Sequence, residues 1–436
     1  MHADLIICNS MKDEVHVPLA PVFALQRKAP SLAGLKDVQA VVQQSLAALR
    51  IPAAKIRGKS IAVTAGSRGI DRLPEVVRAA CIWLKSEGAS PFIVPAMGSH
   101  GGGTSEGQRQ VLEKYGVTPE FTGAEIRSAI EPAFLGSTPE GIEVYMDRNA
   151  SEADAVLVLN RVKPHTDFSG NIESGVVKMM VVGLGKALGA QEIHRWSRKI
   201  GFEPCLRAVC AKVLSSGKVL CGLALIENEF HQIAQIYASL PDGIIAQEEK
   251  ALTIARRLVP RIPFPELDLL VVDELGKNIS GSGMDTKVIG RGLPSIPPEA
   301  PHIRVIYARD LTRETEGNAA GVGLADLIHD RLYRKIDYQK TFLNVRTSLN
   351  LPLAQVPMHC PSDRDAFDFA LGYMGSPGPE HQRSVWIRNT VSLDRIACSQ
   401  ALAAEAAKLD GWRLEPEPLV PQFDRDGDVC SPLPGC

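Results

Sequence analysis

No stretch of about 18 consecutive apolar residues occurs anywhere in the 436 residues, which excludes a membrane-spanning helix of ordinary length. The best apolar run near the start is Leu5-Ile6-Ile7-Cys8, well short of the roughly 7–15 residues of a secretory h-region. Neither charge is in excess. Lys and Arg number 48 against 50 Asp and Glu, a net charge of −2, so nothing points to nucleic acid or an anionic membrane surface. The nine cysteines include no CxxC pair. Cys205 and Cys210 are spaced for neither a zinc knuckle nor a redox motif. Buried reduced thiols in a cytoplasmic protein are the expectation. No internal repeat is visible. Apolar residues at 45% and charged residues at 22% exclude a disordered, collagenous or coiled-coil chain. The length suits two or three domains, each with its own core.

What is present is alternation. Ser60-Ile61-Ala62-Val63-Thr64 reads as a strand ending at Gly66, and helical spacing follows over residues 73–85. Phe92-Ile93-Val94 is a second strand, leading into Gly98-Ser99-His100-Gly101-Gly102-Gly103. Ser105 and Gln108 have capping-box spacing for a helix that ends near Gly116. Residues 155–159 and 219–226 are further strands, and 187–200, 206–214 and 243–258 are helical. Three prolines in residues 260–265 mark a domain edge, because proline removes a donor and fixes φ. A second α/β pattern begins at residues 269–273. It continues with a strand at 303–308 and helical stretches at 322–332, 366–373 and 399–409. The expectation is an α/β protein of two domains, residues 1–265 and 266–436, with a proline-rich, irregular tail.

In a parallel sheet, chemistry gathers in loops at the carboxyl ends of strands. Loops 66–72, 98–103 and 160–170 all begin there, and all are polar. His100 stands among glycines that let backbone approach a ligand, and its imidazole can exchange a proton near neutral pH; a turn histidine is the plain alternative. His165 follows a strand, beside Arg161 and Lys163, in a loop that could simply be solvated. Lys178 lies in Val176-Val177-Lys178-Met179-Met180, where an amine must snorkel, pair or be chemically used. A desolvated amine is a good nucleophile or covalent anchor. His194 falls on a helix, where a structural role is the commoner one. Arg68 offers a fork for a carboxylate or phosphate, and Thr64 and Ser67 with nearby backbone donors suit a phosphate.

Two motifs are weaker. Gly183-Leu184-Gly185-Lys186-Ala187-Leu188-Gly189 is a loose dinucleotide fingerprint and leaves a nicotinamide-dependent dehydrogenase open. Asp424-Arg425-Asp426-Gly427-Asp428 is similar to part of a calcium loop but lacks its closing glutamate, so it reads as a polar tail.

Taken in order, Arg68, His100, His165, the Ser-Gly-Val-Val-Lys run at 174–178 and His194 resemble the nickel-pincer lactate racemase family. The likeness is good over about residues 60–200 and elsewhere rests on length and domain pattern. It implies an isomerase, a racemase or epimerase of 2-hydroxy carboxylic acids, with its active site in the crevice between two α/β domains. It implies a pyridinium mononucleotide whose sulfur arms clamp nickel, made for it by cofactor-biosynthesis proteins. Lys178 matches the lysine that holds the cofactor through a thioamide, and His194 matches the nickel ligand. His100 and His165 match the acid and base that serve reversible hydride transfer, and Arg68 matches the substrate-carboxylate arginine. From the second domain Lys277 is the candidate to close the site, with Lys287 and Arg291 next. Ala65 stands where the family's racemase has an aspartate, which implies a divergent member acting on a different 2-hydroxy acid. A non-catalytic ligand-binding member is the remaining alternative.

Overall fold

The computed structural model describes residues 18–98, 100–293, 298 and 300–430. Leu5 to Cys8, Ser99 and Cys436 lie outside the described residues. The chain forms two compact α/β units. One is Ala29–Pro260; the other takes the described residues up to Lys28 together with those from Arg261 onward. The strand Val22–Arg27 therefore works in the sheet of the later residues, not with the residues that follow it in sequence.

In the 29–260 unit a five-stranded sheet runs in the order Ser90–Pro95, Ser60–Ala65, Ala155–Arg161, Val219–Glu227, Ile233–Ser239. The first four strands are parallel and the last is antiparallel to its neighbour. Successive side chains point to opposite faces. Ile61, Val63, Leu157 and Leu159 join one buried cluster, while Ala62, Val156 and Val158 join another. Both faces are covered, which is why these strands read as continuous apolar runs. Helices Val38–Ala47 and Leu73–Ser86 cover the first face; Lys186–Ile200, Phe202–Ser215 and Ile244–Leu258 contribute to the second. A two-stranded ribbon, Pro132–Ser137 with Glu143–Asp147, adds to that second layer.

The other unit is built on an eight-stranded mixed sheet. Met358–Cys360, Leu327–His329, His302–Leu311, Glu266–Leu275 and Ser384–Ile387 are parallel; Arg395–Ser399, Val22–Arg27 and Trp412–Leu414 continue it antiparallel. The helix expected over 322–332 is not formed. A short 3-10 turn, Val322–Leu324, leads to the strand Leu327–His329 and then to the helix Asp330–Tyr333. The Asp326 carboxylate accepts the Ile306 N–H at 2.7 Å, which draws this segment into the sheet. The stretch 399–409 is likewise shorter, a 3-10 turn and the helix Ala403–Ala406.

Six described cysteines are buried free thiols, and Cys430 is exposed. Among the described residues no helix is long and apolar enough to cross a membrane.

Candidate functional site

Three adjacent parallel strands, Ser60–Ala65, Ser90–Pro95 and Ala155–Arg161, release their loops at the same edge of the sheet. Loop 66–72 carries Ser67 and Arg68, loop 98–103 carries His100, and the segment after Arg161 carries Lys163, His165 and Asp167. The Ser67 hydroxyl hydrogen-bonds His100 Nδ1, and Tyr115 Oη donates to the Ser67 carbonyl at 3.1 Å. The first two loops are thereby fastened together. Gly101, Gly102 and Gly103 all have left-handed φ, near +65°. At Gly101 a Cβ would also stand 2.7 Å from the Gln108 backbone nitrogen, so that turn requires glycine.

The 160s segment is fixed by a buried acid. Glu173, with no exposed surface, accepts the His165 N–H at 2.6 Å and the Gly170 N–H at 3.1 Å, and pairs with Arg256 at 2.6 Å. His165 Nδ1 accepts the Asp167 N–H at 3.0 Å, so a neutral ring carries its proton on Nε2. Rings link this loop to the helices behind it. His165 stacks on Phe168 at 4.4 Å, Phe168 on Phe202 at 4.6 Å, and His194 meets Phe202 edge-on at 5.8 Å. Lys178 Nζ stands 5.8 Å from the Phe168 ring centre.

Lys178 ends a single helical turn, Val176–Lys178, that continues as the π-helical turn Met179–Gly183. The turn hangs from Glu248, whose carboxylate accepts the Val177 N–H at 2.8 Å. Burial raises Glu248 to about 7, against the pull of those backbone donors. A Cβ on Gly175 would stand 2.6 Å from the same carboxyl, so the acid sits directly against the backbone.

Burial lowers Lys178 to about 7; Arg68 and Lys163 push the same way, and Asp167 and Glu173 oppose them. His194 is lowered by burial and by Lys178 and Arg198, against Asp167. Arg68 is exposed at its surface yet crowded by protein around it. That desolvation lowers it, as does Arg161, while Tyr115 and Asp167 act the other way. Arg68, Lys178 and His194 thus share one electrostatic neighbourhood, with Asp167 acting on all three.

The 29–260 unit therefore holds Ser67, Arg68, His100, His165, Lys178 and His194 around one edge of its sheet. Thr64 departs from expectation. It is fully buried; its hydroxyl donates to the Leu159 carbonyl at 3.2 Å and accepts the Leu159 N–H at 2.9 Å, fastening two strands rather than facing a phosphate. Lys277 belongs to the other unit, where its amine donates to the Gly281 carbonyl and, at 3.0 Å, to Asn344. There too, Lys287 lies in the short helix Thr286–Ile289, where its N–H donates to the capping Asp285, and Arg291 pairs with Asp326. The 183–189 run does not join a strand to a helix. It leads from the π-helical turn into Lys186–Ile200, without the strand–turn–helix setting a dinucleotide needs. Asp167, Glu173 and Glu248 were not singled out by the sequence. Asp167 and Glu173 carried a local signal, a charge beside His165 and another five residues before Lys178.

Among the described residues one group has metal-ligand composition: the donor atoms of His329, Asp363 and Asp428 lie within 4.8 Å of one another. Arginine already occupies it. Asp363 takes Arg309 at 2.7 Å and Arg331 at 3.0 Å, and Asp428 takes His329 Nε2 at 2.7 Å. Burial alone would raise the Asp363 carboxyl, but Arg309 holds it well below the usual carboxylate range. Asp428 thus belongs to a buried ion-pair cluster and is not a loose tail.

A family model described as a domain of unknown function, DUF362, matches residues 64–273, a stretch that includes Arg68, both loop histidines, Lys178 and His194. No match is found among curated proteins. Among solved structures the chain is similar to the lactate racemase apoprotein from Thermoanaerobacterium thermosaccharolyticum, at 13% identity and a TM-score of 0.47, over 80% of this chain and 95% of that one. It is also similar to a structural-genomics protein from Thermotoga maritima, at 15% identity and a TM-score of 0.49, over 73% and 80%.

Proposed function

We propose that this protein is an isomerase, a racemase or epimerase of a 2-hydroxy carboxylic acid, that works with a nickel-pincer pyridinium mononucleotide held on Lys178. One observation carries the reading. An amine brought to about 7 by burial shares its electrostatic neighbourhood with an arginine and with a histidine kept neutral. An amine that sheds its proton near neutrality can be acylated by a cofactor carboxyl derivative. A neutral imidazole is the form that ligates a metal, and nitrogen with sulfur donors suits nickel(II). Lys178 and His194 therefore fit the group.

When bound, the cofactor supplies a hydride acceptor, chemistry that no side chain provides. The chain's own residues do the rest. Arg68 holds the substrate carboxylate through its fork and orients the reacting carbon. His100 and His165 take and return the hydroxyl proton, one for each face of the substrate. Inversion needs a proton carrier on each side, which accounts for two histidines in two neighbouring loops. Ser67 at His100 Nδ1 and the Asp167 N–H at His165 Nδ1 set how each ring presents its other nitrogen.

The test is an intact mass and metal analysis of protein made in a host that produces the cofactor. A cofactor-sized increment on Lys178 with about one nickel per chain, and interconversion of enantiomers of a 2-hydroxy acid, are the expected results. An unmodified Lys178 in nickel-free protein overturns the proposal. A loaded protein that binds 2-hydroxy acids without inverting them points to a ligand-binding role.

A further inference from the structure

Ser105 and Gln108 have capping-box spacing for the helix Ser105–Lys114, but the cap is Thr104, whose hydroxyl accepts the Gly107 N–H at 3.0 Å. Gln108 instead turns inward and is fully buried. Its amide group donates both protons, to the Gly98 carbonyl at 2.9 Å and the His100 carbonyl at 3.2 Å. Its own carbonyl accepts from Lys186 Nζ at 3.0 Å. Lys186 is 1% exposed, donates hydrogen bonds to two carbonyls and forms an ion pair with a carboxylate. Besides Gln108 the acceptor is the Pro95 carbonyl at 2.6 Å, and the charge partner is Asp147 Oδ2 at 2.8 Å. Asp147 is also fully buried, and its other oxygen accepts the Ala150 N–H at 3.0 Å.

Two side chains thus hold the carbonyls of Pro95, Gly98 and His100, between the end of a strand and the loop histidine. A buried lysine–aspartate pair adds little net stability compared with apolar packing, but it defines one arrangement sharply. Lys186 is held in the left-handed region, φ +55°, which a non-glycine residue adopts only when its surroundings impose it. It is also the first residue of Lys186–Ile200, the helix that carries His194.

We propose that Gln108 and Lys186 are positioning residues that fix the His100 imidazole for proton transfer and tie its loop to the start of the helix bearing His194. The proposal rests on the reading of His100 as a proton carrier, and two readouts separate the two ideas. The first needs no activity: amide exchange over residues 97–104, and exchange at the imidazole C2 of each histidine across a pH series, both by mass spectrometry. In Gln108→Met, of similar volume but with no hydrogen bonds, amide exchange over 97–104 rises about tenfold or more. The His100 titration midpoint moves while that of His165 stays put. The second readout is the cofactor-loaded enzyme, in which kcat falls about 10–100-fold with KM nearly unchanged.

Unchanged exchange and an unchanged His100 midpoint in folded Gln108→Met overturn the proposal. Should Gln108→Met fail to fold, Gln108→Glu keeps the Lys186 contact and loses the amide donors. Faster exchange over 97–104 in Gln108→Glu then supports the proposal, and wild-type exchange overturns it. If loaded wild-type protein inverts no 2-hydroxy acid, the functional reading fails, and the exchange data still decide whether Gln108 positions the loop.

Discussion

The Val177 N–H donates to the Glu248 carboxylate across 71 residues of sequence, so the turn that presents Lys178 is suspended from a buried acid. Two titrating groups, each at about 7, consequently act on the same short turn: Glu248 raised, beneath it, and Lys178 lowered, at its end.

Glu248 contributes a stability that depends on pH in a known direction. Its folded value lies above the ordinary 4.5, so its contribution is fully present below that value and is lost as pH rises through about 7. Gln at this position has no such titration. Wild-type stability minus that of Glu248→Gln should fall between pH 4.5 and 8 by an amount on the order of 3 kcal/mol. Denaturant melts at several pH values measure it; a pH-independent difference would falsify the buried-acid assignment.

Lys178 should stand out chemically. At pH 7 about half its amines are neutral, against about one in three thousand for an ordinary lysine. Brief acylation of cofactor-free protein at pH 7, followed by peptide mapping, should label Lys178 well ahead of surface lysines. Equal labelling of all lysines contradicts the burial of this amine.

Removing Arg256 takes a charge partner from the buried Glu173. Arg256→Ala should destabilise the unit by less than the about 3–5 kcal/mol of a fully buried pair, because the Arg256 side chain is 38% exposed. Amide exchange should rise first at His165 and Gly170, whose N–H groups Glu173 accepts. Uniform exchange across the unit would show that Glu173 does not fix this loop.

Arg68→Lys should raise the substrate KM and lower kcat, since a point charge does not reproduce a bidentate fork. Kinetics close to wild type would mean that the carboxylate is held elsewhere.

Chelation should leave the His329, Asp363 and Asp428 cluster intact, since Arg309 and Arg331 already neutralise it. The melting temperature of cofactor-free protein should be the same with and without EDTA. Asp363→Asn, which breaks the pairs, should lower it by several degrees. A fall on chelation of cofactor-free protein that is absent in Asp363→Asn would reveal a metal there.

The parallel strands of the 29–260 unit were legible because apolar runs such as 60–64 and 155–159 end in glycine or polar loops, and the site loops were legible because they follow those runs. Local spacing misled at 322–332, where a hydrogen bond from Ile306 to Asp326 outweighs a helical pattern. It misled again at Gln108, where Thr104 takes the cap and frees the amide for carbonyls in another loop. Glu248 left no local trace at all. Its place depends on burial of the helix Ile244–Leu258 against a segment 71 residues earlier, and only the folded chain brings the two together.

The strand Val22–Arg27 has both its neighbours near the far end of the chain: Val22 lies opposite Ser399, and Arg27 opposite Trp412. During synthesis this strand leaves the ribosome and waits while some 370 residues are added before its neighbours. At about 5–20 residues per second the delay is roughly 20–75 s. The 29–260 unit has all its own strands long before that, so it can complete its sheet first. Among the described strands the first to emerge is thus among the last to find its partners, and for that interval it presents two open edges to other chains or to a chaperone.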